Sequence, residues 1–319
     1  MTAFTFGTPQ SIIFKPGIAS DLASVVASVL GPRVLFVTDP GLRKLGLCDP
    51  AIASLLSTGA ELTIFDSVEA DPSRGTLESA TAAGRIAKVT GVLGFGGGSS
   101  LDIAKVSALL LGSGEELDSA WGVGQAKGPR LPLVLVPTTA GTGSEVTPVS
   151  IITVGAEEKR GVSSQIILPD IAVLDAELTV GLPPAITSAT GMDAMVHAIE
   201  AYSSLNANNN PLSKMLAREA LRLLGANIRT VVFDGSNLAA RGAMLLGSML
   251  AGQAFANSPV AAVHALAYPI GGTFHIPHGL SNTLVLPNVL RFNAPVAYAD
   301  YAEIAADAFP ELRVIEGRQ

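Results

Sequence analysis

The chain is poor in cysteine, in histidine and in basic charge. Cys48 is its only cysteine, so no intrachain disulfide can form, and that usage points to a reducing cytoplasm. Lysine and arginine number 20 against 27 aspartates and glutamates, for a net charge of −7. A nucleic-acid partner favours a basic stripe, and the balance here argues against one. No apolar run is long enough to span a bilayer, because Gly, Pro or charge interrupts each of them. The opening "MTAFTFGTPQSIIFKPG" shows no basic segment leading into an apolar one, so no secretory leader is expected. Charged residues make up 15% and hydrophobic residues 48%, which excludes disorder and allows a sizeable core. What remains is a soluble enzyme of small molecules, long enough at 319 residues for two domains.

The first half alternates strand-like and helix-like segments. "RVLFVTD" (33–39), "ELTIFD" (61–66), "VTGVLGFGGG" (89–98), "LPLVLVPTT" (131–139) and "IAVLDAEL" (171–178) are short apolar runs ending in turn residues. Alanine-rich stretches with helical spacing, such as 76–89, lie between them. This order predicts a parallel sheet with helices on its faces. "QSIIFKPG" near the start reads as an edge strand, paired within the monomer or across a dimer. After "GLPPAI" (181–186) strand signals fade, and Ala, Leu and Met recur at helical spacing in 213–228 and 238–256. The expected architecture is α/β plus all-α, with an α/β domain over residues 1–183 and a helical domain over 184–319.

Two glycine-rich turns carry the first chemical signal. "GVLGFGGGSSLDIAK" (91–105) ends a strand in glycines and starts a helix. Gly96, Gly97 and Gly98 let the backbone approach a ligand closely, and Ser99 or Ser100 is a plausible helix cap. The helix beyond offers free N–H groups to an anion such as a pyrophosphate. A tight turn with no ligand explains the same residues equally well. The run is neither G-x-G-x-x-G, since Ser99 stands at the third glycine position, nor a P-loop. "PTTAGTGSEVT" (137–147) places Thr138, Thr139 and Thr142 after another buried strand, where open α/β sheets bind ligands. Asp39 closes "RVLFVTD", where a carboxylate accepts bonds from ribose hydroxyls and repels a 2′-phosphate. The alternative for Asp39 is a turn aspartate before Pro40.

The four histidines are unevenly spread. Asp193 and His197 in "GMDAMVHAIEA" are four apart and share a helix face. His264, His275 and His278 follow in one short apolar stretch. A buried histidine is usually a satisfied core residue, but a buried unpaired carboxylate is costly. One divalent cation held by a carboxylate and three imidazoles would explain both, and that donor set suits Fe²⁺ or Zn²⁺ over Mg²⁺ or Ca²⁺.

These pieces carry a resemblance. "GGGSSLDIAK", "PTTAGTGSEVT", "GMDAMVHAIEAYSS" and "HALAYPIGGTFHIPHG" resemble the iron-containing, group III alcohol dehydrogenases, in family order and over nearly the whole chain. That family belongs to a larger group with glycerol dehydrogenases and dehydroquinate synthases. The resemblance implies a dehydroquinate synthase-like fold: a dinucleotide-binding domain, a helical metal-binding domain, and an active site in the cleft between them. It implies Asp193, His197, His264 and His278 as metal ligands, the glycine turn on the cofactor pyrophosphate, and the Thr-rich loop near ribose and nicotinamide. An aspartate at Asp39 goes with NAD rather than NADP. A homodimer is also implied.

Two departures stand out. Many family members have a further histidine where this chain has Tyr268. They also continue for several helices past the equivalent of "ELRVIEGRQ", so the helical domain is expected to be shortened at its C-terminus. The expected activity is hydride transfer between a small alcohol, or its aldehyde or ketone, and NAD(P), with NAD favoured. Proton exit through water, the ribose, His275 or Tyr268 is left open. Other expectations are glycerol dehydrogenation, maleylacetate reduction, hydroxyacid–oxoacid transhydrogenation, a dehydroquinate synthase-like lyase, or a shortened relative that binds metal or nucleotide without turnover. The lyase would need a basic pocket, and no Lys/Arg cluster lies near the histidines in sequence.

Overall fold

The computed structural model describes residues 3–155, 158–274 and 276–314. These divide into two compact units: those within 8–138 and 144–178, and those within 3–7, 139–143 and 179–314.

The first unit is built on a six-stranded sheet. Its strands are β1 (Ser11–Phe14), β2 (Arg33–Val37), β3 (Glu61–Phe65), β4 (Gly91–Gly96), β6 (Leu133–Pro137) and β9 (Ile171–Leu174). They lie in the order β1-β9-β6-β4-β2-β3, and every pairing is parallel. β5 (Gly122–Val123), β8 (Glu158–Ser163) and β7 (Val149–Val154) form a separate small sheet in that order. Sequence reading had not anticipated this sheet.

β4 and β6 are buried along their whole length, as central strands of a parallel sheet must be when helices cover both faces. The two-residue period of a strand divides their side chains between two cores. Val34, Phe36, Leu93, Phe95, Val134 and Val136 face one core, shared with α1 (Ala23–Leu30). Leu35, Val37, Val92, Leu133 and Leu135 face the other, shared with α4 (Arg74–Ile86) and α5 (Gly98–Ser113). α2 (Pro40–Lys44), α3 (Asp49–Ser57) and α6 (Leu117–Ala120) complete this unit. β1 does pair within its own unit, with Ser11 opposite Ile171.

The strand order has a functional consequence. From β2 the chain moves outward to β3, then returns past β2 to lay down β4 on its other side. The order reverses between β2 and β4, and such a reversal opens a crevice at the carboxyl ends of the two strands.

The second unit is helical: α7 (Pro184–Ser203), α8 (Pro211–Phe233), α9 (Leu238–Asn257), α10 (Ala262–Phe274) and α11 (His278–Ala308). α7 packs against α8, α9 and α11 and is buried on most of its surface from Gly191 to Tyr202. α11 begins hard against it, since a Cβ at Gly279 would collide with the Ala189 carbonyl. That close approach sets the first residue of α11, His278, beside the middle of α7. No helix among the described residues is long and apolar enough to cross a membrane.

Candidate metal centre and dinucleotide crevice

In the helical unit, Asp193 on α7, His264 on α10 and His278 on α11 bring one donor atom each to within 4.8 Å of one another. Asp193 and His264 are buried, and His278 is half-buried. The Asn282 side-chain nitrogen stands where they converge. It lies 2.6 Å from Asp193 Oδ1 and 3.2 Å from Nε2 of both His264 and His278. An amide NH₂ has two hydrogens to donate, and three acceptors face it. Asn282 Oδ1 is itself buried without a partner. Three lone pairs aimed at one point, from one oxygen and two imidazole nitrogens, are the donors a divalent cation of the Fe²⁺ or Zn²⁺ type takes. The residues therefore fit the metal that the family resemblance implies.

His197 stands next to this group but is not one of the three. Its ring stacks on His264 with centroids 4.6 Å apart, and on Phe255 at 4.3 Å. Its Nδ1 is buried with no hydrogen-bond partner. Burial pushes its pKa down to about 4 despite the pull of Asp193, so the ring is neutral at pH 7 and keeps a lone pair to offer. For Asp193, burial pushes upward, but the facing imidazoles and the Asn282 amide hold the carboxyl below its usual range. Tyr268 stacks on His278 with centroids 5.4 Å apart. His275 lies outside the described residues.

Sequence reasoning missed Glu200. It is buried one helical turn beyond His197, and its Oε2 lies 2.6 Å from His264 Nδ1. The signal was present: positions 193, 197 and 200 fall on one face of an apolar helix.

The three expected nucleotide features begin at the carboxyl ends of three neighbouring strands of the sheet unit: β6, β4 and β2. Gly96 ends β4, Gly97 caps α5 without a side chain, and Gly98 and Ser99 open that helix. Thr138 follows β6, and its N–H donates to the Gly96 carbonyl at 2.9 Å, tying the two turns together. Thr139 and Thr142 are half-buried and belong to the segment grouped with the helical unit. The turn's positive φ falls at Gly96, at +155°, while Gly97 is at −74°. Asp39 follows β2 and caps α2: its Oδ1 accepts the Leu42 N–H at 2.9 Å. One of its oxygens therefore serves the plain structural role, and Asp39 flanks the strand-order reversal.

A second buried group was also missed. Lys105 on α5 is fully buried. Its Nζ donates to Ser144 Oγ at 2.7 Å, the Val149 carbonyl at 2.7 Å and Thr147 Oγ1 at 3.2 Å. Ser144 donates to Asp102 Oδ1 at 2.6 Å, and Asp102 Oδ2 accepts the Ile151 N–H at 2.9 Å. The helix that follows the glycine turn is thereby fastened to the segment that follows the threonine loop.

Comparison with known proteins is decisive at this point. The pattern of the iron-containing alcohol dehydrogenases matches residues 9–176, and that of the C-terminal part of the same family matches residues 187–311. The chain belongs to the iron-containing alcohol dehydrogenase family. It is 42% identical to long-chain-alcohol dehydrogenase 1 of Geobacillus thermodenitrificans, over 88% of this chain and 73% of that one. The alcohol dehydrogenase from Oenococcus oeni superposes with a TM-score of 0.92 at 32% identity, over 96% of this chain and 80% of that one. Sulfoacetaldehyde reductase from Bifidobacterium kashiwanohense, solved in complex with NAD⁺, superposes at 0.86 with 29% identity, over 98% and 86%. As a member of this family the chain is an oxidoreductase of alcohols and their carbonyl counterparts.

Proposed function

We propose that the chain is a metal-dependent dehydrogenase of small alcohols that uses NAD in preference to NADP. The observation that carries the proposal is the convergence of Asp193, His264 and His278 on the Asn282 amide nitrogen, in a helical unit whose sequence belongs to a metal-dependent family. His197 supplies the fourth donor, through a neutral ring already stacked on His264. A divalent metal bound there supplies Lewis acidity toward the substrate's oxygen. Nicotinamide supplies the hydride acceptor, and the protein supplies position and electrostatics.

The sheet unit is the dinucleotide-binding domain in this reading, and the helical unit is the metal-binding domain. Gly96, Gly97, Gly98 and Ser99 present backbone N–H groups at the start of α5 to a pyrophosphate. Thr138, Thr139 and Thr142 offer hydroxyls beyond it. Asp39, on the neighbouring strand end, repels a 2′-phosphate while keeping an oxygen for ribose. Tyr268, whose ring stacks on His278, is a candidate to hold the substrate proton, beside water, the ribose hydroxyl and His275. Cys48, the only cysteine, is buried as a free thiol, a usage from which we expect a reducing cytoplasm, and the edge strand β1 is the surface through which we expect a homodimer.

The test is NADH formation from a panel of short alcohols and diols, with Fe²⁺ or Zn²⁺ added anaerobically. The reading requires metal-dependent turnover with at least one of them. Tight binding of both NADH and metal with no turnover on any alcohol would instead make the chain a non-catalytic binder.

A further inference from the structure

Glu200 is 6% exposed and uses both carboxylate oxygens on α10. Oε2 meets His264 Nδ1 at 2.6 Å, and Oε1 accepts the Val263 N–H at 2.7 Å. Val263 lies in the first turn of α10, whose N–H groups have no partners within the helix. One side chain on α7 therefore caps α10 and grips the imidazole that α10 carries. We propose that Glu200 is a positioning residue for the metal centre: it locks His264 in the tautomer protonated on Nδ1, leaving the Nε2 lone pair for the metal. This rests on the metal-centre reading above.

Two contacts on opposite sides of the ring agree on that tautomer. A carboxylate only accepts, so Nδ1 must be the donor toward Glu200. On the far side, the Asn282 amide nitrogen, which only donates, faces Nε2 at 3.2 Å, a placement that suits a lone pair on Nε2. A carboxylate behind a ligating imidazole also raises its basicity and fixes its plane. Charge gives a third argument. Asp193 and Glu200 are both buried carboxylates, at 2% and 6% exposure. With neutral imidazoles, their two negative charges match one divalent cation, and the buried cluster becomes neutral on binding.

Glu200→Gln separates this role from simple packing. The amide is isosteric but cannot accept on both sides. If its oxygen keeps the Val263 N–H, its NH₂ faces His264 Nδ1 and forces the proton onto Nε2. If it flips to accept from Nδ1, its NH₂ faces the Val263 N–H and the cap is lost.

The experiment uses the full chain stripped of metal and labelled with ¹⁵N-histidine, which gives only four imidazoles to assign. Long-range proton–nitrogen spectra report each tautomer, and calorimetric titration with Zn²⁺ alone reports affinity. Wild type should show His264 protonated on Nδ1. Glu200→Gln should move that proton or broaden it between sites, and should weaken Zn²⁺ binding by about 10–100-fold with helical circular dichroism retained. Wild-type His264 protonated on Nε2 would overturn the proposal without any variant. So would Zn²⁺ affinity in Glu200→Gln within twofold of wild type while Asp193→Ala abolishes binding; the metal centre would then stand without Glu200. Unchanged Zn²⁺ affinity in Asp193→Ala as well would overturn the metal reading itself.

Discussion

Gly96→Ala tests the turn that ends β4. Gly96 sits at φ +155°, and a Cβ built there lies 2.7 Å from Ser100 Oγ and 2.8 Å from Ser100 Cβ. Two costs follow. Holding an L-residue in that backbone region strains it by about 1–3 kcal/mol. Forcing a methyl against Ser100 adds about 1–3 kcal/mol of overpacking. The hydroxyl can rotate away, but Ser100 Cβ is fixed by α5, so the second cost cannot be fully relieved. The sum is about 2–6 kcal/mol.

The two costs can be separated. Ser100→Gly removes both contacting atoms and by itself costs about 1 kcal/mol, as glycine does inside a helix. In the double variant only the backbone strain should remain, giving a coupling of about 1–3 kcal/mol. Urea unfolding followed by Trp121 fluorescence is the assay, because Trp121 is the only tryptophan and lies in the sheet unit. NADH titration of the folded variants completes it, with weaker binding expected in Gly96→Ala. A cost under about 0.5 kcal/mol, the range of an indifferent surface site, would refute the strain argument. A large cost with no coupling to Ser100 would refute the clash.

Asp193→Ala and His264→Ala should keep their helical signal and lose bound Zn²⁺, while His197→Ala weakens it; full occupancy in all three by metal analysis would withdraw the ligand assignment. Asp39→Gly should raise kcat/KM for NADP relative to NAD, and glycine at a helix cap costs only a few tenths of a kcal/mol, so an unmoved ratio would remove Asp39 as the discriminator. Burial pushes the Glu145 carboxyl from 4.5 up to about 7, and Oε1 has no partner. Its stabilising contribution is then full below pH 4.5 and lost as pH rises through 7, a fall of at most about 3 kcal/mol. Glu145→Gln should flatten that fall in urea midpoints taken from pH 4.5 to 7.5, and parallel curves for the two proteins would show that Glu145 is not the titrating group.

What sequence reading recovered, and what it missed, follows the range of each interaction. The buried strands were legible because β4 and β6 are continuous apolar runs, and Asp193 with His197 because one helix turn relates them. The strand order was not legible, since β1 pairs with β9 across about 160 residues of chain and nothing local to "SIIF" names its partner. The small sheet was overlooked because "EKRGVS" carries charge on a surface strand, and only the antiparallel register with Val149–Val154 makes it one. Three successive glycines announced a special turn without saying which residue takes the positive φ. That depends on where α5 must start to lie against the sheet.

The buried carboxylates of α7 show why long-range terms decide the site. A helix carrying Asp193 and Glu200 on a face closed off by other helices would be badly destabilised if those charges stayed unpaired. Their partners come from α10 and α11: the His264 ring for Glu200, and the Asn282 amide for Asp193. His264 links the two, since its Nδ1 answers Glu200 and its Nε2 points at the donor that holds Asp193. In the proposed metal centre its ring would divide the two negative charges by function, one fixing the proton and the other facing the cation. The same requirement explains the histidines. Lysine in place of His264 could pair with Glu200 but would bring a cation to the point where the proposed metal donors converge. A neutral imidazole can donate on one side and accept on the other.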